Sequence, residues 1–223
     1  MFNMVQDFER PPELLVAAIR QMPTPILSDV MGRKGGMDAG IRPLDPRMRM
    51  GGPAFTVGAY PADNLMCHLA LKLARPGDIL VVNAGGYLGA ALWGELTSLN
   101  AVKKGIGGLV IDGAVRDRLA ICEIGFPVFA RGCTPTGTFK VNLGTLNAPV
   151  ACGQITVSPG DVVVGDADGV VVVPRGLLET ILLGAREALA KEQTMRNEIA
   201  AGHATFELFG LKDVLMRLGV KLE

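Results

Sequence analysis

Two adjacent charged side chains stand where a predicted buried strand ends. The apolar run Leu109-Val110-Ile111 follows a helical pattern, and Arg116 and Asp117 come a few residues after it. Ligands of α/β proteins collect outside the carboxyl ends of strands, so a guanidinium and a carboxylate at this point are candidates for a site. A solvated ion pair that caps the following helix explains the same position equally well.

Other polar residues upstream could contribute to such a site. Asp63 is placed to cap a helix predicted from Asn64 to Leu73, and His68 lies beside the leucine stripe of that helix. A lone histidine in a helix is more often packed and hydrogen-bonded than catalytic. The segment 83–89 has Ala84 where a dinucleotide-binding fingerprint needs glycine, so we expect its backbone amides to approach a small anion instead.

Aspartates also occur in glycine-containing turns. The letters Pro-Gly-Asp occur at 76–78 and 159–161, each time before a run of apolar residues, which predicts one turn used twice to start a buried strand. In the segment 165–169, Asp166 and Asp168 could hold a metal ion, although such turns are more commonly structural.

The hydrophobic periodicity predicts an alternation of helices and strands. We expect helices over 13–21, 25–32, 64–73, 95–104, 119–125, 177–200 and 206–218, with Thr24 as an N-cap before Pro25, and strands over 52–60, 79–82, 109–111, 127–130, 162–164 and 169–173. The expected domains are 1–175, an α/β domain with N-terminal helices, and 176–223, C-terminal helices that pack on that domain or on a neighbouring subunit.

Composition excludes several classes of function. Lys+Arg and Asp+Glu both total 22, and no Lys/Arg run exceeds two, so a nucleic-acid grip is not expected. Four scattered cysteines without a C-x-x-C pair argue against a zinc ribbon or a disulfide scaffold and favour a reducing, cytoplasmic location. The first residues contain two acids and two prolines, unlike a signal peptide, and no apolar segment is long enough to span a membrane.

Several of these motifs together resemble the RraA-like superfamily. They are the acid at Glu95 with twenty residues before Arg116-Asp117, the segment 63–66, the Pro-Gly-Asp steps, the segment 108–113 and the run 165–174. The similarity extends from about residue 28 to 202. Within the superfamily, the chain is similar to the class II pyruvate aldolases that act on 4-hydroxy-4-methyl-2-oxoglutarate and 4-carboxy-4-hydroxy-2-oxoadipate in aromatic compound catabolism.

The resemblance implies an α/β fold, the swivelling β/β/α domain, with a C-terminal helical arm, assembled as a homotrimer or homohexamer. It also implies a divalent cofactor, Mg²⁺ or Mn²⁺, bound directly by Asp117 and through water by Glu95 and by Glu192, the last possibly from a neighbouring subunit. Arg116 would contact the 2-keto oxygen. Gly94 and the backbone amides of Leu96 and Thr97 would bind the pyruvyl carboxylate.

Two positions depart from the family pattern. Ala120 stands where the family often has another acid three residues after the Arg-Asp pair, and Glu95 is one methylene longer than the usual aspartate. Neither departure removes the central pair.

The expected reaction is a metal-dependent retro-aldol cleavage that releases pyruvate, with oxaloacetate decarboxylation as a side reaction. Such cleavage leaves an enolate, whose charge a metal ion and a guanidinium can stabilise without a Schiff base. An alternative is a regulatory protein that binds an RNA-degrading endonuclease; a methyltransferase is disfavoured because no S-adenosylmethionine loop is visible. For the distal part of the substrate, Arg131, Lys140 and Asn142 are candidates, although we interpret them as solvated strand positions.

Overall fold

The computed structural model describes residues 5–220. It divides into two compact units, one up to Leu182 and one from Leu183 onward, so that the boundary falls inside a long helix. The domain boundary expected at residue 175 stays a prediction. The helices are α1 (Glu13–Arg20), α2 (Thr24–Val30), α3 (Leu65–Leu73), α4 (Glu95–Lys103), α5 (Arg118–Ile124), α6 (Leu178–Ala200), α7 (Thr205–Leu208) and α8 (Leu211–Arg217).

A nine-stranded mixed sheet forms the centre of the first unit. Its order is β1-β6-β5-β3-β2-β10-β11, with β4 paired to β5 and β7 paired to β2, while β8 and β9 form a separate hairpin. The strands are β1 (Arg42–Pro43), β2 (Met50–Gly58), β3 (Ile79–Asn83), β4 (Ala91–Trp93), β5 (Gly108–Val115), β6 (Val128–Cys133), β7 (Thr145–Leu146), β8 (Val150–Cys152), β9 (Ile155–Val157), β10 (Val162–Asp166) and β11 (Gly169–Val173).

The parallel part of the sheet consists of β2, β3, β5, β6 and β4, and the other strands pair antiparallel to it or to each other. All eight residues of β5 are buried, as expected for a strand covered on both faces. The first and last strands of the order, β1 and β11, contact each other, so the sheet curls toward a barrel. A mixed α/β fold followed by a C-terminal helix is therefore confirmed.

Both Pro-Gly-Asp segments form the predicted turn. Gly77 and Gly160 have φ angles of +85° and +84°, a conformation that favours glycine. The aspartate then anchors the turn: Asp78 accepts a hydrogen bond from the backbone N–H of Arg75, and Asp161 accepts one from that of Ser158. One local device thus starts β3 and β10.

Two local predictions needed correction, and the structural interpretation of one turn was confirmed. Thr24 is not an N-cap but the first residue of α2, and both its N–H and its hydroxyl donate to Asp166, at 2.9 and 2.7 Å. Because both Asp166 oxygens are engaged in this way, the turn that contains Asp166 and Asp168 has a structural role. The predicted helix over 206–218 is broken into α7 and α8 at Gly210, whose φ is +61°.

The structure of residues 5–220 bears on two expectations, that the cysteines form no disulfide and that no helix spans a membrane. The thiols of Cys67, Cys122, Cys133 and Cys152 are all free. Between residues 5 and 220, every helix is too short or too polar to cross a bilayer.

Candidate active site

Arg116 and Asp117 lie at the turn between β5 and α5. Asp117 has a left-handed backbone (φ 58°), which costs roughly 1–3 kcal/mol for a residue other than glycine and is common at functional sites. Its Oδ2 atom lies 3.4 Å from Arg116 Nε and accepts a 3.1 Å hydrogen bond from the backbone N–H of Glu95. The turn therefore ties the pair to the first residue of α4.

The amino end of α4 forms the second part of the site. Gly94 precedes the helix and has no side chain to cap it, while the Thr97 hydroxyl bridges the N–H and C=O of Gly94 at 2.9 and 2.8 Å. Among residues 5–220, no acceptor contacts the backbone N–H of Leu96 or Thr97. Free amides at a helix amino end favour an anion.

Space, not backbone conformation, requires glycine at position 94. Its φ of −164° is open to any residue. A Cβ atom there, however, would lie 2.6 Å from Asp117 Oδ2 and 3.0 Å from Arg116 Cγ. The missing side chain leaves room for the charged pair.

These groups line one cavity of about 230 Å³. The cavity is also lined by Asn64 and His68, from the start of α3, and by Thr138 and Lys140, from the segment after β6. The cavity is smaller than the roughly 300–1,000 Å³ of sites for drug-sized ligands, so it suits a small polar molecule. Two cations, Arg116 and Lys140, and the amides of α4 favour a ligand with more than one negative group.

His68 has an altered acidity in this cavity. Partial burial of the ring, together with the positive charge of Lys140, lowers the pKa of His68 below its ordinary value. The folded protein therefore favours the neutral form of the imidazole.

The carboxylates suit a hard divalent cation held partly by water. No group of three His, Cys, Asp or Glu side chains converges between residues 5 and 220, so a zinc centre with three protein ligands does not fit. Asp117 Oδ1 accepts no hydrogen bond from the described residues, and Glu95 lines the same cavity. One or two carboxylates with open positions for water and substrate are typical of Mg²⁺.

The structure brings most of the predicted site residues together. Gly94, Glu95, Leu96, Thr97, Arg116 and Asp117 all line the cavity. Glu192 lies on α6 in the second unit, where its carboxylate pairs with Arg196 at 3.1 Å, and its metal role stays a prediction.

The interpretation of the segment 83–89 as an anion cradle was wrong. The amides of Gly85, Gly86 and Tyr87 already donate to Asn83 Oδ1 and to the carbonyls of Asp112 and Ala84. They are therefore engaged in shaping the turn itself.

The interpretation of Lys140 as a solvated strand position was confirmed for its exposure but was wrong about the strand. It lies on the cavity wall, on a segment that belongs to no strand. Arg131, by contrast, is paired with Asp112 and Asp38 at 2.6 and 3.0 Å, and Asn142 donates to Asp63. Lys140 was one of three polar candidates, and its sequence context could not single it out, because its place depends on hydrogen bonds of the neighbouring residues 139 and 141 to residues 62–64.

Comparison with known proteins agrees with this architecture. Residues 24–172 match the model of the RraA-like family, described as Aldolase/RraA. A protein of Halalkalibacterium halodurans whose name proposes 4-hydroxy-4-methyl-2-oxoglutarate aldolase activity is 36% identical over 185 residues, 83% of this chain and 88% of its own.

Solved structures show the same fold. An uncharacterized protein from Pseudomonas syringae pv. tomato superposes with a TM-score of 0.79 at 28% identity, covering 89% of this chain and 93% of its own. RraAS2 of Streptomyces coelicolor, titled an unusual member of the RNase ES inhibitor RraA family, gives a TM-score of 0.76 at 29% identity, covering 85% and 100%. The family match spans most of the chain and includes every cavity residue named above, and the chain belongs to the RraA-like (Aldolase/RraA) family.

Proposed function

We propose that this protein is a divalent-metal-dependent aldolase. Its substrate is a 4-hydroxy-2-oxo di- or tricarboxylic acid such as 4-hydroxy-4-methyl-2-oxoglutarate or 4-carboxy-4-hydroxy-2-oxoadipate, which it cleaves to pyruvate and a second keto acid. Oxaloacetate decarboxylation is the side activity, because loss of CO₂ leaves the same enolate. The observation that carries the proposal is the convergence of Arg116, Asp117 and the free amides of α4 on one small cavity.

The amino end of α4 binds the carboxylate next to the keto group. The N–H groups of Leu96 and Thr97 meet no acceptor among residues 5–220, and the helix dipole adds a partial positive charge at the same place. A planar 2-oxo acid held here places its keto oxygen toward Arg116, across the cavity floor.

Arg116 stabilises the charge that develops on the keto oxygen when the C3–C4 bond breaks. Its guanidinium is held by Asp117 on one side, so it is oriented before the substrate binds. Asp117, and Glu95 through water, would hold the Mg²⁺ or Mn²⁺ ion. When bound, that ion supplies Lewis acidity toward the same oxygen.

The C4 hydroxyl must lose its proton as the bond breaks. Glu95 is exposed on the cavity wall and is the residue that would hold the water accepting this proton. The released pyruvate enolate is then protonated at C3.

Lys140 and His68 receive the distal carboxylate of the substrate. They line the same cavity as the Arg-Asp pair and lie close enough for Lys140 to affect the acidity of His68. These two side chains give a reason for preferring di- and tricarboxylic acids.

The test is pyruvate release, coupled to lactate dehydrogenase, with magnesium or manganese and with EDTA. Arg116→Ala is expected to lower kcat by about 10²–10³, because one charge-stabilising donor is lost. Arg47→Ala is the control, since Arg47 is exposed and bonds only with Asp45. Wild-type turnover by Arg116→Ala, or release insensitive to EDTA, would contradict the proposal.

A second candidate function is regulation of an RNA-degrading endonuclease. It is favoured by the similarity to RraAS2, whose title names an RNase inhibitor family. Inhibition of such a nuclease by the purified protein, without pyruvate release from any 4-hydroxy-2-oxo acid, would support this candidate over the aldolase.

A further inference from the structure

A buried carboxylate joins the two segments that carry His68 and Lys140 to the cavity. Asp63 is 2% exposed and lies just before α3. Its Oδ1 accepts the N–H of Leu65 at 2.9 Å, and its Oδ2 accepts the N–H groups of Val141 and Asn142 at 2.7 and 2.9 Å. One side chain therefore binds the start of α3 to the segment after β6.

Backbone hydrogen bonds close the same joint. The N–H of Asn64 donates to the C=O of Phe139 at 3.1 Å, and the N–H of Phe139 donates to the C=O of Ala62 at 2.9 Å. Lys140 stands between Phe139 and Val141, so the residues on both sides of it are fastened to 62–64. The position of its backbone is fixed by this joint.

The charge of Asp63 is held by hydrogen bonds alone within the described residues, since no Lys, Arg or His there forms an ion pair with it. Burial opposes its ionisation, but the bonds from Val141, Leu65 and Asn142 outweigh burial and keep its pKa below the usual value. The Asp63 carboxylate therefore stays ionised throughout the neutral pH range, and its hydrogen bonds keep a charged acceptor.

We infer that Asp63 is a positioning residue for substrate selection: it fixes Lys140 relative to His68, and so sets the place of the distal carboxylate. This inference rests on the proposed function for the role of Lys140 and His68. Two contacts of Asp63 carry the inference. It accepts a hydrogen bond from the start of α3, the helix that contains His68, and another from Val141, the residue after Lys140.

The joint itself can be tested without activity. In Asp63→Asn, one acceptor oxygen is replaced by an NH₂ group that faces backbone N–H donors. We expect the amides of Val141 and Asn142 to exchange hydrogen for deuterium at least about tenfold faster than in the wild type, since they lose hydrogen bonds to a charged acceptor. Asp161→Asn is the matched control, because Asp161 is also buried and accepts two backbone N–H groups, at a turn that does not line the cavity. Unchanged exchange at 141 and 142 in Asp63→Asn would overturn the inference.

Kinetics then separate positioning from simple loss of stability. For a 4-hydroxy-2-oxo dicarboxylate, Asp63→Asn is expected to raise KM about tenfold with little change in kcat, because a misplaced contact weakens binding of the distal group. For an analogue with a methyl group in place of the distal carboxylate, KM stays within about twofold of the wild-type value.

The variant Lys140→Met tests whether Asp63 affects KM through Lys140. If Asp63 acts through Lys140, the double variant has the KM of Lys140→Met alone. Additive effects, or an equal rise in KM for both substrates, would overturn the inference. A wild-type protein that releases no pyruvate would instead contradict the proposed function, and hydrogen exchange would still decide whether Asp63 fastens the wall.

Discussion

Gly94 shows how a missing side chain can shape a site. Its Cα faces Asp117 and Arg116 so closely that no Cβ fits without moving one of them. Its carbonyl also accepts bonds from the hydroxyls of Thr97 and Ser98, at 2.8 and 3.0 Å, which holds the first turn of α4 in place. A glycine just before a helix leaves the amino end of that helix open for an anion.

Gly94→Ala is therefore expected to leave the fold nearly intact but to damage the site. The backbone conformation is open to alanine, so the thermal midpoint changes little, whereas displacement of the pair lowers kcat/KM by about 10². Pyruvate release and thermal unfolding measured on the same sample give the comparison. A loss of stability in proportion to the loss of activity would mean that Gly94 serves the fold rather than the site.

His68 gives a prediction that depends on pH. Burial and Lys140 lower its pKa below the ordinary value of about 6.5, so the folded protein favours the neutral ring. The corresponding stability is present above the unfolded pKa and is lost as the pH falls through the folded one.

Binding of a dicarboxylate should reverse this shift, because a negative group beside the ring favours its charged form. Titration of the imidazole protons by NMR, with and without ligand, measures the pKa directly. His203 is the other histidine, and His203→Gln identifies its signal. A His68 pKa that a bound dicarboxylate leaves unchanged would contradict the distal role.

The sequence was informative about residues whose role depends on their local neighbours. Arg116 and Asp117 could be singled out because a strand ends just before them, whereas Glu95 was singled out only by the resemblance to the RraA-like superfamily. Lys140 could be named only as one of three polar candidates, since the hydrogen bonds to 62–64 that bring its segment to the cavity leave no pattern around position 140. His68 was ambiguous, because helical spacing alone does not show what lies opposite a helix.

The Pro-Gly-Asp turn before β3 is also the anchor of the N-terminal segment. Asp78, fully buried, accepts two hydrogen bonds of 2.7 Å from Arg10, whose guanidinium also lies 4.1 Å from the ring of Phe8. Phe8 in turn packs edge-on against Phe55 of β2. The N-terminal segment is thus bound to the sheet by one charged and one aromatic contact.

Arg10→Met is expected to destabilise the protein by about 3 kcal/mol. The substitution retains an apolar stem but leaves the buried Asp78 carboxylate without its charged partner. The free energy of unfolding is measured by urea denaturation, followed by fluorescence of the single tryptophan, Trp93. The matched control is Arg47→Met, whose 89% exposed side chain pairs only with Asp45 and should leave the midpoint unchanged. Equal midpoints for the two variants would show that the Arg10 contact does not stabilise the fold.

The strands differed from one another in how well they could be predicted. Buried strands such as β3 and β5 can be predicted from their runs of apolar residues, and the turns before them from glycine-containing sequences. The strands β1, β4 and β7 are two or three residues long and exist only because β6, β5 and β2 offer partners. Their pairing is set by the fold, so no local pattern predicts them.

The helices α4 and α5 expose several large apolar side chains. Leu96, Leu99 and Val102 recur along one side of α4, and Leu119 on the adjoining α5 is 79% exposed. Exposed apolar patches of this kind mark interaction surfaces. Because Leu96 also lines the cavity, a partner bound here would lie beside the active site.

The resemblance to class II pyruvate aldolases predicts a homotrimer or homohexamer, and this patch is where we expect subunits to meet. Leu119→Asp places a charge in the patch and is expected to reduce the mass in solution from that of the assembly toward the 23.5 kDa chain. Light scattering after size exclusion measures the mass. Leu14→Asp is the control, since Leu14 is 86% exposed on α1, outside the patch. If Leu119→Asp keeps the wild-type mass, the interface lies elsewhere. If the wild type is itself monomeric, the predicted assembly is wrong, and the site must act with the groups of one chain.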